Sequence, residues 1–154
     1  MDYSIVKLIQ AMLAPGLMIS ACGLLILGMN NKYSIVVNRI RLLNDERRRI
    51  LHLENKIEDD RRRENIIRIQ IDRLNERVKM VRNAVFAYSF AVGCFIIASL
   101  FIGINLYTQS DEVEFLSLTF FLIGMITVFI GIVFAANETL KGYKIVSIEI
   151  EEFA

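Results

Sequence analysis

The sequence predicts an all-α integral membrane protein: three transmembrane helices, with a cytoplasmic antiparallel helical hairpin between spans 1 and 2. Three observations carry that expectation. Three long apolar runs contain no charged residue and no histidine, and each is near the ~20 residues that a helix needs to cross hydrocarbon. Charged residues make up 23% of the chain, and most of them fall in one internal block. That block has no glycine or proline between Asn31 and Asn83 and is rich in good helix formers. The runs are continuous and not alternating, which excludes a closed β-barrel. Spans joined by a solvated segment account for this split composition better than one soluble core does.

Residues 1–31 are read as an N-terminal segment and span 1. Met1-Asp2-Tyr3 supplies no basic region of the kind that opens a cleavable signal peptide, so the first apolar run, Leu8 to Met29, is expected to be retained. Pro15, the single proline of the chain, removes a helical hydrogen bond, and Gly16 follows it. A kink is expected there. Broken helices line many transport sites, although proline is also tolerated in membrane helices as a packing feature.

Residues 32–83 form the expected hairpin. Apolar residues recur at helical spacing in its first half at Val36, Ile40, Leu43, Ile50, Leu53 and Ile57. The second half repeats the pattern at Ile67, Ile71, Leu74, Val78 and Val81. The turn is expected near Glu58-Asp59-Asp60, with Asp59 or Asp60 as cap. The pairs Glu58 with Arg62 and Asp59 with Arg63 have favourable helical spacing, which speaks against a sharp break at that point. The chain's one histidine, His52, falls off the apolar seam.

Span 2 covers residues 84–107. No breaker separates it from the hairpin, so Arg63 to Tyr107 reads as one rod roughly 65 Å long. An outer acidic link, 108–114, carries Asp111, Glu112 and Glu114. Span 3 covers 115–136. In the tail, 137–154, Gly142 is placed to end the helix. Val146, Ile148 and Ile150 then alternate with polar residues as in an extended strand.

Lysine and arginine are dense in the hairpin, present in the tail at Lys141 and Lys144, and absent from the acidic link. The charge rule therefore puts the hairpin and C-terminus in the cytoplasm, the N-terminus outside, and the protein in the plasma membrane. Lys32, Arg39, Lys79 and Arg82 are expected to meet headgroups of the inner leaflet.

Small residues form faces that let membrane helices approach closely. Span 2 has Ala84, Ala87, Ala91, Cys94 and Ala98; span 3 has Gly124, Thr127, Gly131 and Ala135, with Ser117 on the same face. Span 1 adds Gly16, Ser20 and Gly23. These faces exceed what one three-helix bundle uses, so a homo-oligomer is expected.

Several function classes are disfavoured. No nucleophile–base pair or phosphate-cradling loop is present, so no enzyme activity and no cofactor are expected. Cys22 and Cys94 lie in spans without histidine partners, so no metal site is expected and both read as packing residues. Net charge is +1, and acids interleave with Arg47-Arg48-Arg49 and Arg61-Arg62-Arg63, so no nucleic-acid partner is expected. Spans without Asp, Glu, Lys, Arg or His disfavour proton-coupled transport but permit a passive pore.

Gly28-Met29-Asn30 resembles the Gly-Met-Asn signature of CorA-type magnesium transporters, but it stands at the opposite end of its span relative to the charge rule. A broader resemblance rests on Leu13-Ala14-Pro15-Gly16, Ile19 through Leu25, Gly28 through Tyr33 and Val37 through Leu43, and on Arg77 through Ala84. With these segments the chain resembles an uncharacterised prokaryotic membrane family known as domain-of-unknown-function family 2721. Lys32 stands where that family usually has arginine, and Asn38 where it often has an acid. The resemblance implies three spans and brings no activity.

Two functions are expected to compete. In one, a homo-oligomer encloses a passive cation pore coupled to a cytoplasmic helical bundle. Asp111, Glu112 and Glu114 would form an outer acidic ring, and Gln10, Ser20 and Asn30 would line the path, with Thr119 and Thr127 adding hydroxyls from span 3. In the other, the spans anchor a scaffold or sensor whose charged hairpin docks a cytoplasmic protein. The lipid bilayer is a partner in both.

Overall fold

The computed structural model describes residues 2–52 and 58–152. They form three helices: α1 (Asp2–Leu51), α2 (Glu58–Thr108) and α3 (Asp111–Glu152). Each contains a stretch long and apolar enough to cross a membrane, so the chain is a multi-pass membrane protein.

The lengths follow from the absence of breakers. α2 runs for 51 residues, about 75 Å, from the charged block through the second apolar run. α1 does the same over 50 residues: the first span and the first half of the charged block are one helix. Pro15 lies inside it, buried, without ending it.

Three expectations about the connections change. Glu58-Asp59-Asp60, the expected turn residues, open α2 as its first helical residues. Acids there complement the positive end of the helix dipole, so they favour helix more than turn. Leu53 and Ile57, expected in the apolar seam, lie outside the described residues. Between α2 and α3 the link is only Gln109 and Ser110, and Asp111, Glu112 and Glu114 belong to the first turn of α3. Gln109 takes the left-handed conformation, φ 48°, that reverses the chain. The carbonyl of Ser110 accepts the amides of Val113 and Glu114 at 3.1 and 3.2 Å. Third, α3 does not stop at Gly142 or turn extended, because its backbone stays helical to Glu152. Val146 and Ile150 are also i, i+4 neighbours, so their alternation fits a helix equally well.

Packing is centred on α2, which contacts α1 and α3 extensively while those two barely touch. Accordingly, 33% of the apolar window of α2 is buried inside the chain, against 17% for each of the others. Along α1 the buried residues recur every seventh position: Pro15, Cys22, Met29, Val36, Leu43 and Ile50. That period keeps one seam facing the neighbouring helix over the whole length, through apolar run and charged block alike. In the charged half, Leu43 and Ile50 pack with Ile67, flanked by Ile71 and Leu74. In the apolar half, Cys22 and Met29 join Val81, Tyr88, Phe95 and Val128 in one core shared by all three helices.

The α2–α3 contact is fitted by aromatic rings and glycines. A Cβ on Gly131 would stand 2.5 Å from the Tyr88 ring, and one on Gly124 would stand 2.7 Å from the Phe95 ring. Both pairs are spaced by seven residues on their own helix, so the two rings occupy two sockets in register. Phe121 meets Phe95 at 5.5 Å between ring centroids, tilted by 57°.

Candidate functional site

The site begins with a residue that composition does not single out. Glu138 lies two residues past the third apolar run and is 1% exposed. A carboxylate this buried is costly unless it is paired and hydrogen-bonded. Two cations meet it, one from each of the other helices. Arg77 of α2 donates from Nη2 at 2.7 Å and from Nε at 3.1 Å to Oε1. Lys32 of α1 donates from Nζ at 2.9 Å to Oε2, and also at 2.7 Å to the Thr139 hydroxyl. Both carboxylate oxygens are therefore engaged, and a single side chain joins α1, α2 and α3.

The position of this junction matters. Core residues Met29 and Val81 lie on its apolar side, and the seam of Leu43, Ile50 and Ile67 lies on the other. The junction thus clamps the bundle where the apolar runs meet the charged block. Weaker ion pairs surround it: Lys141 with Glu76 at 3.4 Å, and Arg63 with Glu46 at 2.8 Å further along the charged half. These are exposed and add little each.

Lys32, expected at the headgroups, is turned to Glu138 and remains 42% exposed. Arg39, Lys79 and Arg82 are exposed. On the packing faces, Ala84, Ala87, Ala91, Cys94 and Ala98 are buried. Gly124 and Gly131 are also buried, against Phe95 and Tyr88; Thr127 and Ala135 are half-buried. On α1, by contrast, Gly16 and Gly23 have nothing within 4 Å.

The candidate pore residues are distributed differently. Gln10, Ser20 and Asn30 are all exposed, away from the buried seam of α1. The hydroxyls of Thr119 and Thr127 each donate at 2.8 Å to the carbonyl one turn back, so their protons are already used within α3. Asp111, Glu112 and Glu114 are exposed at the start of α3. Pro15 lines a cleft near the same end that Glu114 also lines, and Gly16 does not. Among the described residues no group of His, Cys, Asp and Glu is arranged to hold a metal ion.

Sequence reasoning did not single out Glu138 or Arg77. The signal was register. Glu138 follows Gly124 and Gly131 at the same seven-residue step, and Arg77 precedes Ala84, Ala91 and Ala98 at that step. A charge in line with a small-residue packing face is headed for a helix contact.

A family model described as "Protein of unknown function (DUF2721)" matches residues 12–148. No curated protein matches the chain, and no solved structure does.

Proposed function

The chain belongs to the DUF2721 family, so we propose its function from its own residues: a multi-pass homo-oligomer that forms a passive cation pore, coupled through continuous helices to a charged bundle. The observation that carries this reading is the placement of polarity in the spans. No Asp, Glu, Lys, Arg or His lies within the apolar runs, and Gln10, Ser20 and Asn30 all lie on the α1 surface that α2 and α3 leave uncovered. One copy has too few helices to enclose a path, and most of each apolar window is uncovered, so neighbouring copies complete it. The acidic first turns of α3 then repeat about the symmetry axis and concentrate cations at one mouth.

By the lysine and arginine distribution, that mouth is outside, together with the N-terminus. The charged halves of α1 and α2 form an antiparallel hairpin in the cytoplasm beneath the plasma membrane. Unbroken α1 and α2 carry a displacement of the hairpin into the spans, and the Glu138 junction ties α3 to the same movement. The proposed role is conduction, with no reaction catalysed.

A scaffold reading is favoured by one observation. Ile35 is 70% and Leu42 is 63% exposed on the charged half of α1, where a docked protein would cover them. Ion flux into liposomes holding the purified chain separates the two. The pore reading expects cation flux without any added energy source. No flux across a range of ions, voltages and calcium levels would defeat it and leave the scaffold.

A further inference from the structure

Where α2 hands over to α3, a cleft of about 780 Å³ opens with α1 and α3 as its walls and the end of α2 as its floor. Its lining is sorted along the helix axes. Lys7, Asn105, Gln109 and Glu114 stand toward the helix ends. Deeper along each helix the lining turns apolar, at Pro15 on α1, Ile102 on α2, and Leu118 and Phe121 on α3. The lining passes from polar outward to apolar inward over a depth of about two turns, with the Ser117 hydroxyl of α3 between Glu114 and Phe121. A soluble metabolite has no such polarity, whereas a membrane lipid does.

The polar end is also chemically particular. Pro15 has no amide hydrogen, so the Ala11 carbonyl on the cleft wall lacks its helical donor. The Glu114 carboxylate is a second acceptor, on the facing wall. The Asn105 side-chain oxygen accepts the Ser110 amide at 3.1 Å, which leaves its NH₂ group as the donor on that side. Lys7 contributes an ammonium to the same rim.

We propose that this cleft binds one phospholipid with a primary-amine headgroup, a phosphatidylethanolamine. Its ammonium sits between the Glu114 carboxylate and the Ala11 carbonyl, its phosphate meets Lys7 and Asn105, and one acyl chain runs inward past Pro15, Leu118 and Phe121. A choline headgroup has no N–H to give the two acceptors, and a glycerol headgroup brings no cation to Glu114. The cleft is the size of a drug-like ligand, so it encloses the headgroup and the upper part of one chain. The remainder lies on exposed apolar surface such as Met125, one turn beyond Phe121 on the same face of α3. The proposal does not rest on the pore reading, because a lipid can fill this cleft in a conducting or a non-conducting protein.

The test is native mass spectrometry of the full chain released from detergent with equal amounts of dioleoyl phosphatidylethanolamine, phosphatidylcholine and phosphatidylglycerol. One bound phosphatidylethanolamine is expected, preferred about tenfold over the other two, as one charge-assisted hydrogen bond warrants. Glu114→Gln is expected to bring the three to parity, while Glu112→Gln, in the same turn but outside the cleft, keeps the preference. Ala11→Trp is expected to fill the cleft and remove the bound lipid. Helicity and thermal midpoint without added lipid report whether each variant folds, and Glu114→Gln, an exposed polar exchange, carries the test if Ala11→Trp does not. Soluble phosphoethanolamine at millimolar concentration is expected not to displace the lipid. Equal retention of all three lipids by the unmodified chain, a preference that survives Glu114→Gln, or displacement by the free headgroup would each overturn the proposal.

Discussion

Glu138 is the residue on which the bundle's cohesion turns. Both of its oxygens are bonded, to cations from two different helices, and it is 1% exposed. Glu138→Gln leaves Lys32 and Arg77 close together without their counter-charge. The variant is expected to lose about 3 kcal/mol of stability. Lys32→Met, which removes the more exposed partner, is expected to cost about 1 kcal/mol. Thermal unfolding in one detergent checks both, and equal losses would contradict the roles given to the two. Glycine offers a second comparison at this scale. Gly131→Ala drives a Cβ to 2.5 Å from the buried Tyr88 ring, so a loss of about 2 kcal/mol is expected. Gly23→Ala meets nothing within 4 Å and is expected to be neutral or to gain up to about 1 kcal/mol from helix propensity. Neither difference is legible from composition. All these glycines sit in apolar runs on apparent small-residue faces, and only the placement of Tyr88 and Phe95 tells a socket from open surface.

At the scale of the helices, the seven-residue seam of α1 makes a sharp prediction about neighbours in sequence. Leu43 is 4% exposed and packs on Ile50 and Ile67, whereas Leu42 is 63% exposed. Leu43→Ala is expected to cost about 2–3 kcal/mol. Leu42→Ala is expected to stay within about 0.5 kcal/mol. Chemical denaturation followed by helicity distinguishes them, and a similar cost for both would contradict the seam. Much of this was readable in advance. The seam residues Val36, Leu43, Ile50 and Ile67 announce themselves by period, and the unbroken α2 rod follows from the missing glycine and proline. The ends were less readable. Glu58-Asp59-Asp60 and Asp111-Glu112 look like loop chemistry, yet acids are equally at home in the first turn of a helix. Gly142 is a possible helix stop that becomes one only if the chain beyond it has something better to do. Glu138 escaped notice because an acid just past an apolar run usually faces water, and its partners lie 61 and 106 residues away in the sequence.

For the whole molecule, the distribution of lysine and arginine predicts opposite sides for the two helix connections. Cys22 is fully buried and Cys94 is 4% exposed, so the unmodified chain is expected to react little with an impermeant thiol reagent. In intact cells Thr108→Cys is expected to label from outside, and Arg62→Cys only after the membrane is permeabilised. Labelling of Arg62→Cys from outside would invert the orientation. The central functional claim is that the first turns of α3 from several copies form a cation-concentrating mouth. The most direct measurement of it is the reversal potential under a salt gradient, in planar bilayers holding the purified protein, before and after Asp111→Asn with Glu112→Gln. A cation-selective reversal potential that moves toward zero in the double variant, with conductance retained, is the predicted result; a reversal potential the same in both proteins would contradict it.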